Sequence, residues 1–424
     1  MNVKVKGLLG AAIGCVVLDA GAVAPTLTLE GSIGYCQNGC SGAIATFGDA
    51  PPDTGDGIYL LTFGGVQPIS LPGFNFRGTN IPMATGQPLG KGPITSSDGA
   101  TLYFVTGTSS PYNIYVSEMD VASETIGAAT PVGGVNDRFH TNSTDFGGNE
   151  DTIVVYSAGR NAFLSYPNYE PWLGVYDTTS KTAQNFSGAD IGFTTKQAQV
   201  KVGLSADSSE IFLSQAGSGV TKVLDGTDPT QILRTLSYES DYLLVHDDDV
   251  ADVNNKGLLY SLDTATATLT VIDLDDDDSV VFQTSGILGD VRSMTIRPNG
   301  DAVIASSPSW VNYVQTGGTL TTVSYDSTLV EQQGSDANPI GLFVDEDPLF
   351  GSCIFLANNY DSSVTAVSID GAACGPFSYG FTNVPATLPI DGSIGVDFSA
   401  PPSTGARAEP WAYIVAYIDD QPVG

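Results

Sequence analysis

The segment LANNYDSSVTAVSID, Leu356 to Asp370, constrains this chain more than any other, because degraded copies of it recur upstream. Each copy has a turn rich in Asp, Asn and Gly, an aliphatic run, a polar gap and a second aliphatic run ending near Asp. The turns Ser97-Asp98-Gly99, Gly148-Asn149-Glu150, Asp207-Ser208-Ser209, Asn255-Lys256-Gly257, Pro298-Asn299-Gly300 and Asp345-Glu346-Asp347 precede TLYFVTG, TIVVYSAG, EIFLSQAG, LLYSLD, DAVIASS and CIFLANN. They stand on the order of 50 residues apart, the period of a small four-stranded antiparallel sheet used repeatedly.

Such a sheet cannot bury both faces alone. Alternating apolar residues, such as Leu102 and Phe104 or Ile211 and Leu213, put one strand face against a neighbour, so the units must stack around an axis. Asn-Gly and Asp-Gly supply the positive φ that tight turns demand. Gly, Thr, Ser and Val are abundant and helical spacing is rare, so the expected fold is all-β: a single β-propeller of four-stranded blades. Six copies are clear and Gly57 to Phe63 supplies a seventh; seven blades are expected, with eight as the alternative. Ring closure is expected to join the N-terminal segment to the strand around Trp411 to Tyr417. Glu30-Gly31-Ser32-Ile33-Gly34 echoes Asp391-Gly392-Ser393-Ile394-Gly395, which suggests related roles for the two ends.

Residues 1–22 read as a signal peptide: Lys4 and Lys6, then an apolar run from Gly7 to Leu18 too short to span a bilayer, then Ala20-Gly21-Ala22. Ala12-Ile13-Gly14-Cys15 loosely resembles a bacterial lipidation box, so a lipid anchor at Cys15 stays open. Residues 23–424 are then the propeller domain, secreted or at the cell surface, with no transmembrane segment. Four cysteines remain, and an even count in an exported chain favours disulfides. Grouping suggests Cys36 with Cys40 and Cys353 with Cys374, although three connectivities are formally open. The sequons at Asn142 and Asn185 are glycosylation sites if the source is eukaryotic.

The net charge is −32, from 47 Asp and Glu against 15 Lys and Arg. Nucleic acid and anionic membranes demand basic surfaces, so neither is an expected partner. The acid concentrates in two runs. His246-Asp247-Asp248-Asp249 with Asp252, Asn254 and Asn255 precedes one strand; Asp275-Asp276-Asp277-Asp278 follows the next. In an up-and-down sheet both loops emerge on one rim. Asp247, Asp249, Asp252, Asp275 and Asp277 are therefore the candidate metal ligands, for Ca2+, which takes six to eight oxygens; a solvated acidic loop is the first reading, calcium the second and contact with a basic partner the third.

The turn P-[DN]-G, the run Leu356-Ala357-Asn358-Asn359-Tyr360, and Val364 to Asp370 with Val271-Ile272-Asp273 resemble the YVTN-type repeat of lactonase-like β-propellers. The resemblance covers about residues 56 to 375 and implies fold more than function, because propellers host many activities. It implies that a hydrolytic site would lie in the central channel. Arg138, His140 and Arg292 are the weak catalytic candidates, and Arg297 also flanks an expected innermost strand. No assembled catalytic motif accompanies them. The expected function is a binding or interaction scaffold with an extracellular protein or carbohydrate partner. A lactonase-like hydrolase and a structural component of an extracellular layer are the alternatives. The aromatics Tyr166, Tyr169 and Trp172 are read as packing between blades.

Overall fold

The computed structural model describes residues 24–34, 44–47, 57–62, 65–70, 75–76, 80–88, 93–96, 99–108, 113–133, 144–158, 170–194, 200–215, 217–324, 339–347, 351–358, 363–372, 374, 380–382, 397–399, 416–418 and 421–423. The described residues are strands and turns without a helix, and none forms a helix long and apolar enough to cross a membrane. The signal segment, Cys15, Cys36, Cys40, Arg138, His140, Asn142, Tyr166 and Tyr169 lie outside them.

The chain begins with β1 (Leu27–Gly34), which is set aside until the end of the ring. A four-stranded antiparallel sheet follows, of β2 (Ile44–Phe47), β3 (Gly57–Thr62), β4 (Gly65–Ser70) and β5 (Asn75–Phe76). The next sheet has six pieces: β6 (Gln87–Pro88), β7 (Ile94–Thr95), β8 (Thr101–Gly107), β9 (Ile114–Asp120), β10 (Thr125–Ile126) and β11 (Thr130–Pro131). β6 and β7 both pair with β8, and β10 and β11 both pair with β9, so its inner and outer strands are each broken in two. Then come β12 (Thr144–Gly148), β13 (Thr152–Ser157), β14 (Trp172–Asp177) and β15 (Thr182–Ser187), and β16 (Val200–Leu204), β17 (Glu210–Gln215), β18 (Thr221–Asp225) and β19 (Ile232–Leu236). The fifth sheet is β20 (Tyr242–His246), β21 (Leu258–Asp263), β22 (Thr268–Asp273) and β23 (Ser279–Ser285). The sixth is β24 (Asp290–Ile296), β25 (Ala302–Ser307), β26 (Trp310–Val314) and β27 (Leu320–Ser324). The last repeat supplies β28 (Pro339–Asp347), β29 (Gly351–Asn358) and β30 (Ser363–Ile369). Beyond it lie two isolated hairpins, β31 (Gly380–Thr382) with β32 (Asp397–Ser399) and β33 (Ala416–Ile418) with β34 (Gln421–Val423).

The two aliphatic runs of the repeat are therefore the second and third strands, the two fully paired ones. Alternation explains how they are buried. Leu102 and Phe104 of β8 pack with Tyr59 and Leu61 of the preceding sheet, whereas Tyr103 and Val105 pack with Ile153 and Val155 of the following one. Ile211 and Leu213 of β17 turn towards Val154 and Tyr156, while Phe212 turns towards Leu259 and Ile272. Each middle strand thus contributes to two apolar layers, which is why these runs are apolar on both faces. The series continues through Tyr260 with Ile304 and Val303 with Ile354, and returns through Phe355 with Leu60 to the first sheet. All this is β-propeller architecture.

The N-terminal segment takes part in ring closure, as expected, through the last repeat. β1 pairs antiparallel with β30, Leu27 opposite Ile369 and Gly34 opposite Ser363, giving the order β1-β30-β29-β28. Among the described residues the N-terminal strand is thus the outermost strand of the last sheet. Residues 411–415 lie outside the described residues, and Ala416–Ile418 pairs with Gln421–Val423. The physical reason is an empty place. The last repeat supplies only three strands, so β30 offers a free ladder edge that β1 fills, with Leu27 and Leu29 packing on the apolar layer below. Cys353 and Cys374 form a disulfide beside this edge, as their grouping suggested, and Trp172 is buried in the layer between β8–β9 and β13–β14.

Candidate functional site

β20 ends at His246, and the chain runs through residues 247–257 before re-entering the sheet as β21. The loop is built from side-chain-capped turns: Asp247 accepts from the amide of Asp249 (3.2 Å), Asp249 from that of Ala251 (3.2 Å) and Asp252 from that of Asn254 (3.0 Å). This is what Asp does in place of a helix or ladder, satisfying the backbone two residues on. Asn255 Nδ2 then donates to Asp247 (2.7 Å), closing the loop on itself. At its end Gly257 has φ of 83°, and a Cβ there would sit 2.3 Å from the His246 carbonyl oxygen, so only glycine fits.

The second acid run meets the first. Asp275 accepts from the backbone N–H of Lys256 at 2.9 Å, so both runs do share one rim. Asp277 is exposed at φ of 51°, and Asp278 turns inward at φ of 58°. Asp278 accepts from Arg234 Nη2 (2.7 Å), and Arg234 also forks onto Glu210 with two bonds of 2.7 Å. Lys256 Nζ completes the group on Glu210 at 2.8 Å. Glu210 opens β17 and is 3 % exposed; two cations and two carboxylates thus form a neutral clamp between neighbouring sheets. Burial works against the guanidinium's charge, and the bonds to Asp278 and Glu210 more than offset it.

Between the inner strands β20 and β24 this rim opens into a recess of about 420 Å³, lined by Leu244, His246, Asp247, Val250, Ile296 and Pro298 among others. His246 lies edge-on to Tyr260, ring centroids 6.4 Å apart, and Tyr260 donates to the Gly300 carbonyl of the next sheet at 2.6 Å. Burial holds the His246 imidazole below its ordinary pKa, while Asp248 and Asp247 pull the other way. Val250 and Val253 stand out of the loop at 83 % and 85 % exposure. The rim is therefore an acidic surface with apolar tips, its two nearby cations already committed to Glu210 and Asp278.

Among the described residues no three His, Cys, Asp or Glu side chains gather as a metal site. Asp247, Asp249, Asp252 and Asp275 serve as turn and loop acceptors. Arg292 lies towards the opposite end of β24, paired with Asp290 at 2.6 Å. Arg297 is turned into the structure, donating to Ser352 at 2.8 Å and to Tyr313, which in turn donates to the nearly buried Asp301. Arg292 is thus not brought together with the acid runs or with His246. Glu210 and Arg234 were not singled out from sequence. The available signal was a Glu opening a β-strand, and an Arg in a chain holding few cations.

No protein-family model matches the chain, and no curated protein is detectably similar to it in sequence. Solved structures are similar in fold. The virginiamycin B lyase from Staphylococcus aureus superposes with a TM-score of 0.53 at 10% identity, over 81% of this chain and 99% of that one. The WD40 β-propeller domain of Doa1 superposes with a TM-score of 0.52 at 15% identity, over 81% and 97%.

Proposed function

We propose that the chain is a seven-bladed extracellular propeller that works by binding, and that the rim carrying residues 247–257 and 274–278 is its docking face for a basic protein segment. The blade count takes the split sheet β6–β11 as one blade, and the apolar layers that run from sheet to sheet and back to the first support it. One observation carries the functional reading. Val250 and Val253 are held out in solvent by a loop whose backbone is fixed by its own carboxylates, above a recess and amid uncompensated negative charge. Exposed apolar side chains on a preorganised, single-signed surface are the makings of a docking site.

The test is fluorescence anisotropy with a labelled peptide alternating Lys and Leu. Saturable binding that falls as salt rises, and that Val250→Ser with Val253→Ser abolishes, is the expected result. Equal binding by the double variant sinks the assignment.

A further inference from the structure

At the opposite ends of the inner strands the chemistry is reversed. Asp145 of β12, Lys201 of β16, Tyr242 of β20, and Asp290 and Arg292 of β24 all lie near the starts of their strands. Cross-strand contacts hold them side by side. Val202 N–H donates to Asp145 at 2.8 Å, Lys201 Nζ stands 4.7 Å from the centre of the Tyr242 ring, and the Tyr242 hydroxyl donates to the Val291 carbonyl at 2.9 Å.

Two features set this cluster apart from the rest of an acidic molecule. Lys201 makes its contact with an aromatic face and has no ion pair among the described residues. Arg292 meets Asp290 through Nη2, and its other N–H groups have no partner among the described residues. A guanidinium presents five donors and an ammonium three, so most of this donor capacity meets no described residue. Burial raises the Tyr242 pKa, against the opposing pull of Arg292, so the hydroxyl stays neutral near pH 7 and does not repel an anion.

We propose that this mouth of the ring binds the carboxylate of a small ligand, through Lys201 and Arg292 beside the Tyr242 ring. The flanking carboxylates of Asp145 and Asp290 favour a single negative charge over a doubly charged phosphate. The net charge of −32 repels anions from most of the molecule, so a saturable anion signal reports a local site. The proposal does not rest on the docking face, which lies at the other end of β20 and takes the opposite charge.

Calorimetric titration of the full chain with acetate, glucuronate, glucose and inorganic phosphate tests it. Saturable binding of acetate or glucuronate is expected, with none for glucose and weaker binding of phosphate. Lys201→Met and Arg292→Gln should each weaken carboxylate binding by about tenfold or more, which is about 1.4 kcal/mol, and Lys201→Arg should restore most of it. Arg292 is exposed, so its variant carries the test if Lys201→Met fails to fold. Failure of both carboxylates to saturate overturns the proposal, as do binding of glucose equal to glucuronate, phosphate binding tighter than carboxylate, and variants that bind like the parent.

Discussion

Between β16–β19 and β20–β23 the apolar layer of Phe212, Leu243, Leu259 and Ile272 is reinforced by charge, whereas the sheet that closes the ring is reinforced by strand pairing and a covalent bond. In the first joint Glu210 is enclosed and shared by Arg234 and Lys256, and Arg234 reaches across to Asp278. In the second, β1 completes the ladder on β30 and Cys353–Cys374 ties the chain beside it. The difference teaches where each solution is available. Continuous chain lets a joint be made by packing, local turns and a few partly buried ions. A ring must also be closed once by strands remote in sequence, and there the entropy of bringing the ends together has to be met by many ladder bonds.

The comparison breaks most visibly at Glu210. Glu210→Ala strands two partly buried cations and is expected to cost about 3–4 kcal/mol, read as a lower urea midpoint with an unchanged slope. The closing joint is expected to respond next: Cys353→Ser with Cys374→Ser releases a loop of 21 residues and should cost about 3 kcal/mol by chain entropy. A charge variant that costs much less than the cysteine pair would mean that the clamp is a surface contact.

How much of this was legible follows from range. Pro298-Asn299-Gly300 announced its turn because the requirement is local: Gly300 sits at φ of 84°, and a Cβ would meet Thr316 at 2.9 Å. The acid runs announced a shared rim for the same reason, since strand order fixes which loops emerge together. Their chemistry was not legible. Asp247 and Asp275 each accept from amides of the same two loops, bonds that residue spacing alone does not announce. The clamp and the partner of the closing N-terminal strand were hidden because they join residues with no shared motif, and β1 carries none of the turn signals of the repeat. Lys201 gave no signal at all, its partner being a ring on another strand.

Smaller effects sharpen the picture. Tyr260→Phe leaves the Gly300 carbonyl without its 2.6 Å donor and should cost about 1 kcal/mol, seen as a lower Tm. His246 supplies a pH test with a definite sign. Its folded pKa is held down by burial, so the unfolded chain takes up the proton first; stability falls as pH drops through the unfolded value near 6.5 and levels off below the folded one. Tm measured between pH 7.5 and 5.5 should therefore fall less for His246→Gln than for the parent. Asp277→Asn removes an exposed carboxylate and should change stability by less than about 0.5 kcal/mol. Chelation with EDTA should leave Tm unchanged, and a clear fall would show a stabilising bound cation.

Native-state hydrogen exchange across residues 27–34 and 363–369 tests the ring most directly. If β1 is the outer strand of the last sheet, the two segments are protected together and open together as denaturant is added. Free-chain exchange at 27–34 beside a protected 363–369 would contradict the closure on which the rims and the axial mouth depend.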